Sequence, residues 1–131
     1  MKQARVLLAD DYAPTRESFK AILSPHFEIV AIVANGRDLV ETALRLKPEL
    51  IILDITMPLL SGTRAASEIK KTLPEIKFLF VTMHTSPAYV KAAFEAGGTG
   101  YLVKSRAREE LLTAVLKVLQ GETYITPNLS S

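Results

Sequence analysis

Five polar residues of this sequence stand directly after short apolar runs: Asp10, Asp11, Asp54, Thr82 and Lys104. The runs before them are rich in Ile, Val, Leu and aromatic residues, a composition that predicts strands buried on both faces. In an open parallel sheet, the binding site lies beyond the carboxyl ends of the strands. Four strands would therefore bring three carboxylates, a hydroxyl and an ammonium group to one edge, a set that can hold a divalent cation and handle a phosphoryl group.

The carboxylates each have an ordinary explanation as well. Adjacent carboxylates such as Asp10 and Asp11 repel each other unless a cation lies between them, and hard oxygen ligands suit Mg²⁺ or Mn²⁺. A solvated turn that caps a helix would explain the same pair. Asp54 can act as a nucleophile toward a phosphoryl group or form an Asx-turn ahead of Pro58.

The hydroxyl and the ammonium group are open to two interpretations in the same way. Thr82 can donate to a phosphoryl oxygen, but threonine is also a common β-branched strand residue. Lys104 can pair with a phosphate or with Asp54, or it can be a solvated loop lysine. Because four strands that each end in a suitable group are improbable by chance, the combination favours a site.

Strand and helix patterns alternate along the chain, and such β-α units with short links predict a doubly wound parallel sheet. Apolar runs predict strands over residues 4–9, 28–33, 50–53, 76–81 and 100–103. Apolar periodicity, caps and breakers predict helices over 14–23, from the Asn35 cap to Leu46, from the Ser61 cap to before Pro74, from Ser86 or Pro87 to Gly97, and over about 106–120. Residues 122–131 lose the helical period and predict a turn or a frayed tail.

Composition and charge exclude several classes of protein. A chain of 131 residues suits one domain with a sizeable core, and the absence of cysteine excludes thiol chemistry. No apolar stretch reaches the ~18 residues of a membrane span, and no signal peptide is recognised, so a cytoplasmic protein without membrane contact is expected. The net charge of +2 and the scattered basic residues argue against direct nucleic-acid binding.

Four motifs together resemble the pattern of response-regulator receiver domains of two-component signalling. They are Asp10-Asp11, Asp54-Ile-Thr-Met-Pro-x-x-x-Gly62, Val81-Thr82 and Tyr101-x-x-Lys104. The likeness extends from Val6 to about Leu119 and is greatest to the LuxR-type (NarL/FixJ) subfamily, on residues 82–84 and 96–105. It implies an α/β flavodoxin-like fold, a doubly wound five-stranded parallel sheet in the order 2-1-3-4-5 with helices on both faces.

The resemblance also implies a role for each polar residue. Asp54 would be the phosphoacceptor. A Mg²⁺ or Mn²⁺ ion would be held directly by Asp11, largely through water by Asp10, by Asp54 and by the backbone carbonyl of Thr56.

The remaining roles concern the response to phosphorylation. Thr82 and Lys104 would contact the phosphoryl group, and Tyr101 would be the aromatic partner of Thr82 in a switch that alters the face of the fourth helix, fifth strand and fifth helix. From its place on an edge strand, Tyr101 is expected to be half exposed; it is either such a switch or plain packing.

For the whole protein, the resemblance implies a phosphorylation-activated switch rather than a turnover enzyme, with a sensor histidine kinase as phosphodonor. Residues 1–121 would form the receiver domain, and residues 122–131 a tail or the start of a linker to an output domain outside this sequence. In the subfamily that output domain binds DNA, which makes transcription regulation the expected output. The last helix offers a surface for a homodimer.

Three residues depart from the usual pattern around the site. Met83 is bulkier than the residue that many receivers carry there, and we expect it to shield the site from small phosphodonors. Ser105 replaces a common proline, so its peptide bond with Lys104 is expected to be trans. His84 flanks the site, and we expect it to point to solvent rather than toward an attacking water.

Other functions remain as alternatives. A stand-alone or degenerate receiver could serve as a protein-binding scaffold. This sequence retains all five polar residues, which argues against degeneration. A haloacid-dehalogenase-type phosphatase also uses an Asp nucleophile and Mg²⁺, but it typically has a second Asp where Thr56 stands. A flavodoxin-type flavin site would need a phosphate-binding loop after the first strand, where Asp10 and Asp11 would repel the phosphate.

Overall fold

The computed structural model describes residues 3–127 as alternating strands and helices. In chain order these are β1 (Arg5–Ala9), α1 (Ala13–Leu23), β2 (Glu28–Val33), α2 (Gly36–Leu46), β3 (Leu50–Leu53), α3 (Gly62–Thr72), β4 (Lys77–Thr82), α4 (Pro87–Glu95), β5 (Gly100–Val103), α5 (Ala107–Leu119) and β6 (Tyr124–Ile125). Within the described residues, no helix has the length and apolar character needed to cross a bilayer.

The strands form one parallel sheet in the order β2-β1-β3-β4-β5-β6. The predicted fold class and the order of the first five strands are confirmed. The prediction of five strands is one short, because β6 forms where a turn or frayed tail was expected. A two-residue strand carries no periodicity that a sequence pattern can reveal. Residues 128–131 of the predicted tail lie outside the described part of the chain.

Two apolar layers cover the sheet, one on each face. Helices α1 and α5 pack on one face, and α2, α3 and α4 pack on the other. The central strand β3 is buried along its whole length, as its unbroken apolar run predicts. This burial fixes the carboxyl end of β3, and Asp54 follows it directly.

The predicted helix caps are present on three helices. The side chain of Asn35 accepts a hydrogen bond from the N–H of Asp38 at the start of α2. Ser61 and Ser86 accept in the same way at the starts of α3 and α4. Because each cap satisfies a helical N–H that has no partner within the helix, it fixes the residue at which the helix begins.

At the start of α3, Gly62 packs against the backbone that follows β3, with no space for a side chain. A Cβ built on Gly62 would lie 1.9 Å from the carbonyl oxygen of Asp54. The N–H of Gly62 also donates to the carbonyl of Ile55 at 2.7 Å. In the same loop Leu59 has a φ of 71°, in the left-handed region that a branched side chain rarely adopts. The absence of a side chain at Gly62 therefore keeps α3 close to the residue that ends β3.

We predict that Gly62→Ala lowers the free energy of unfolding by about 1–3 kcal/mol, because the added methyl group forces the Asp54 carbonyl away from α3. Urea denaturation followed by circular dichroism measures the change. Ser67→Ala, at an exposed position of the same helix, serves as the control and should stay within about 0.5 kcal/mol. A Gly62→Ala variant as stable as the unaltered protein would contradict the close approach.

Candidate functional site

The carboxyl ends of β1, β3, β4 and β5 bring the predicted polar residues to one edge of the sheet. The carboxylates of Asp10, Asp11 and Asp54 each offer an oxygen within 4.8 Å of the others. Asp10 and Asp54 are buried, and Asp11 is exposed. The parallel register explains this grouping, since β1 and β3 lie side by side and end together at Ala9 and Leu53.

Lys104 lies between the two buried carboxylates. Its Nζ is 2.8 Å from Asp10 Oδ2 and 2.8 Å from Asp54 Oδ2. Burial of the ammonium works to lower the pKa of Lys104, but the hydrogen bonds and negative charges of Asp10 and Asp54 outweigh it and raise that pKa above its usual 10.5. The lysine is therefore a fixed cation shared by two acidic groups.

Burial and hydrogen bonding shift the pKa of Asp10 in opposite directions. Burial raises the pKa of Asp10 above its usual 3.8, although the Lys104 ammonium and the N–H of Tyr12, which donates to Asp10 Oδ1 at 2.9 Å, both work to lower it. The other oxygen, Oδ2, contacts Lys104. Both oxygens of this buried carboxylate thus have a partner within the protein.

Asp54 is held in a defined orientation at the end of β3. Its Oδ1 accepts a hydrogen bond from the N–H of Ile55 at 2.6 Å, and its Oδ2 contacts Lys104. With both oxygens bonded, the carboxylate is fixed toward the edge of the sheet. Its side chain is buried, with 8% of its surface exposed.

The three carboxylates fit a hard divalent cation. Carboxylate oxygens are the ligands that Mg²⁺ accepts, and Mg²⁺ usually keeps several waters beside one or two protein ligands. Asp11 is exposed, so its carboxylate is open to water next to the buried pair. The contribution of the Thr56 carbonyl stays a prediction.

Thr82 ends β4 as a buried residue beside this group. Its Oγ1 accepts a long hydrogen bond of 3.5 Å from the N–H of His84. This contact links the hydroxyl to the loop between β4 and α4 rather than to another strand. The next residue, Met83, is 69% exposed, and its predicted shielding role stays a prediction.

Tyr101 is fully buried, so the expected half exposure is wrong. The expectation assumed that β5 was the edge of the sheet, whereas β6 occupies that edge. The Tyr101 hydroxyl donates to the carbonyl of His84 at 2.9 Å. Burial, together with the charges of Asp54 and Tyr89, raises the pKa of Tyr101 to about 12, so the phenol stays protonated as a donor.

His84 is partly buried, and the expectation that it points to solvent is wrong. Its Nε2 lies 2.8 Å from the hydroxyl of Thr56, and its ring stacks on that of Tyr89 with centroids 3.9 Å apart. These contacts join the loop after β3 to the first turn of α4. Sequence reasoning missed Tyr89, because no helical spacing relates it to a residue that precedes the helix.

The peptide bond between Lys104 and Ser105 is trans, as predicted. Lys104 begins a single 3-10 turn, Lys104–Arg106, that leads into α5. The short turn holds the lysine close to the end of β5.

Comparisons with known proteins agree on one family. The family described as "Response regulator receiver domain" matches residues 6–116. The chain is 34% identical over 128 residues to the transcriptional regulatory protein DegU of Brevibacillus brevis, covering 96% of this chain and 54% of that protein. It is 36% identical over 130 residues to the oxygen regulatory protein NreC of Staphylococcus epidermidis, covering 97% and 60%. The chain thus spans little more than half of these relatives.

A solved structure has the same fold throughout. It is a two-component response regulator of the LuxR family from Aurantimonas sp. SI85-9A1, with a TM-score of 0.91 and 29% identity. The match covers 98% of this chain and 93% of that one. A DNA-binding response regulator of the LuxR family from Staphylococcus aureus matches at a TM-score of 0.83 and 31% identity, over 88% and 98% of the two chains.

We predict that Tyr101→Phe lowers the free energy of unfolding by about 1 kcal/mol, because the carbonyl of His84 loses its donor. The pKa of Tyr101 is raised in the folded protein, so the phenol contributes fully to the free energy of unfolding below pH 10. This contribution is lost as the pH rises from 10 to about 12. Unfolding measured across this window should therefore show a weaker pH dependence for Tyr101→Phe than for the unaltered protein. Equal pH dependence would contradict the buried, bonded phenol.

Proposed function

The chain belongs to the response regulator receiver domain family, and from that membership we propose that it is a phosphorylation-controlled switch with Asp54 as phosphoacceptor. One observation carries the proposal: the Asp54 carboxylate stands at the end of a buried strand with the Lys104 ammonium 2.8 Å away. A receiver domain is a signalling domain, so the chemistry that we propose is confined to its own phosphorylation and dephosphorylation.

The arrangement suits attack by a carboxylate on a phosphoryl group. An oxygen of Asp54 forms a bond to phosphorus while the bond from phosphorus to the donor breaks, and the donor leaves with the electron pair. Lys104 offsets the repulsion between the anionic nucleophile and the anionic phosphoryl group. A Mg²⁺ ion held by Asp10, Asp11, Asp54 and the carbonyl of Thr56 would supply further charge neutralisation and in-line orientation.

Phosphorylation changes the charge at Asp54 from about −1 to about −2 and adds three acceptor oxygens. Lys104 can pair with these oxygens, and the hydroxyl of Thr82, whose oxygen accepts the long hydrogen bond from the loop N–H, can donate its proton to them. Because Tyr101 bonds the same loop through the carbonyl of His84, the loop and α4 respond to the state of the site. We propose that this response alters the face of α4, β5 and α5.

The relatives support a proposal for the partners and output of the whole protein. We propose that a sensor histidine kinase donates the phosphoryl group, and that transcription is regulated through a DNA-binding domain outside these residues. DegU is named as a transcriptional regulatory protein, and the Staphylococcus aureus neighbour as DNA-binding. In this arrangement residues 1–121 form the receiver, and the segment that starts at residue 122 adds β6 to its sheet before it leads toward the output domain. A homodimer through α5 would suit such an output.

An open cleft beside the site offers space for the donor. It has a volume of about 410 Å³ and lies between α1 and α5, where its lining includes Tyr12, Phe19, Lys104 and Arg108. Lys104 belongs to both the cleft and the acidic site, so a donor bound there would lie next to the cation that contacts Asp54. The cleft is open, whereas a phosphatase for a small substrate usually has an enclosed pocket. Its shape therefore favours phosphoryl transfer from a protein partner over a phosphatase activity.

We predict that the protein gains a phosphoryl adduct when it is incubated with acetyl phosphate and Mg²⁺, and that Asp54→Asn gains none because the amide is not a nucleophile. Intact-mass spectrometry measures the adduct. Asp38→Asn, an exposed acidic residue at the start of α2, is the control and should label like the unaltered protein. Chelation of Mg²⁺ should greatly slow the labelling.

Three outcomes separate the candidate functions. Release of free phosphate over many turnovers would indicate a phosphatase, and a protein that never gains the adduct from any donor would indicate a scaffold. An adduct that persists in Asp54→Asn would place the phosphoacceptor elsewhere.

We predict that Met83→Ala is labelled faster by acetyl phosphate than the unaltered protein, because a smaller side chain admits the donor more readily. The time course of the adduct mass measures the rate. Leu44→Ala, which shortens an apolar side chain that is 37% exposed on α2, away from the site, is the control and should not change the rate. Unchanged or slower labelling of Met83→Ala would contradict the shielding role.

A further inference from the structure

The C-terminal strap, residues 122–126, lies along the outer edge of β5 and reaches both ends of the turn that carries Lys104. The strap contains β6, which runs parallel to β5. Arg106 ends the turn, and Val103 precedes it. The sequence pattern predicted a turn or a frayed tail for this segment, and the switch described above does not use it.

The first contact is at the entrance to the turn. The hydroxyl of Thr126 accepts a hydrogen bond from the N–H of Val103 at 2.9 Å, and the N–H of Thr126 donates to the carbonyl of Tyr101 at 3.0 Å. Thr126 is itself buried, with 6% of its surface exposed. A buried N–H without a partner is costly, so the hydroxyl fixes the backbone one residue before Lys104.

The second contact is at the exit from the turn. The hydroxyl of Tyr124 donates to Glu110 Oε1 at 2.5 Å, and Glu110 Oε2 pairs with the guanidinium of Arg106 at 2.8 Å. Burial and the Glu110 carboxylate raise the pKa of Tyr124 to about 12, which keeps the phenol a donor. The strap therefore contacts the turn at both ends. Thr126 binds the residue before the turn, and Tyr124 binds the ion pair of Glu110 with Arg106.

We infer that Thr126 and Tyr124 are positioning residues for Lys104, acting through Val103 and Arg106. The strap keeps the turn where the ammonium reaches Asp54 and Asp10 together. This inference rests on the proposed phosphorylation of Asp54 and deepens it, because it makes the segment after α5 part of the site. Linkage is reciprocal: a phosphoryl group that binds the positioned Lys104 also favours the docked strap.

A threonine series tests the first contact. Thr126→Val keeps the shape but removes the acceptor for Val103, whereas Thr126→Ser keeps the hydroxyl. With acetyl phosphate at saturating Mg²⁺, Thr126→Val should be labelled roughly fivefold more slowly, the factor to which the ordinary net strength of one hydrogen bond, about 1 kcal/mol, corresponds. Thr126→Ser should label nearly like the unaltered protein. Thr42→Val makes the same chemical change at a buried threonine of α2 and should not alter the rate.

Two further readouts separate positioning from a loss of stability. A misplaced Lys104 slows the labelling under conditions in which circular dichroism shows that Thr126→Val is fully folded, whereas a loss of stability alone leaves the labelling rate of the folded protein unchanged. Hydrogen exchange at the amide of Thr126 should become slower once the unaltered protein is labelled. Should Thr126→Val fail to fold, Tyr124→Phe carries the same test, because it removes only a hydroxyl and should also slow the labelling.

The outcomes distinguish this inference from the proposed function. If the unaltered protein gains no adduct, the proposed function fails and the inference fails with it. If the unaltered protein gains the adduct but Thr126→Val or Tyr124→Phe labels at the same rate, the inference alone is overturned. It is also overturned if labelling leaves the exchange of the Thr126 amide unchanged.

Discussion

The site depends on one shared cation. The ammonium of Lys104 contacts both Asp10 and Asp54, two buried carboxylates that would otherwise repel each other at the ends of adjacent strands. Removing one partner of such a buried group leaves charge without compensation, which is costly. The strands deliver the carboxylates, and the turn after β5 delivers the cation. The fold around them therefore also fixes the orientation of the Asp54 carboxylate.

The sequence predicted those parts of the structure that repeat along the chain. Unbroken apolar runs located the buried strands, and the residues after them, Asp54 and Lys104 among them, could be placed at one edge because parallel strands end together. Serine and asparagine caps located the starts of three helices. These signals are local, so a single sequence is sufficient to reveal them.

The features that the sequence did not predict all depend on contacts between distant segments. The strand β6 is only two residues long and is held by hydrogen bonds to Thr99 and Tyr101. Its presence moves Tyr101 from the edge to the interior of the sheet, which reverses the expected half exposure. His84 likewise forms a hydrogen bond with Thr56, a residue 28 positions earlier, and its ring stacks on that of Tyr89. Neither residue type nor periodicity predicts such pairings.

The central claim is that the oxygen that accepts the phosphoryl group belongs to Asp54. Borohydride reduction of the labelled protein converts a phosphorylated aspartate into a stable alcohol, and peptide mapping by mass spectrometry then locates the reduced residue. We expect reduction at Asp54 and at no other carboxylate of the site. Reduction at Asp10 or Asp11, or a labelled protein in which no aspartate is reduced, would contradict it.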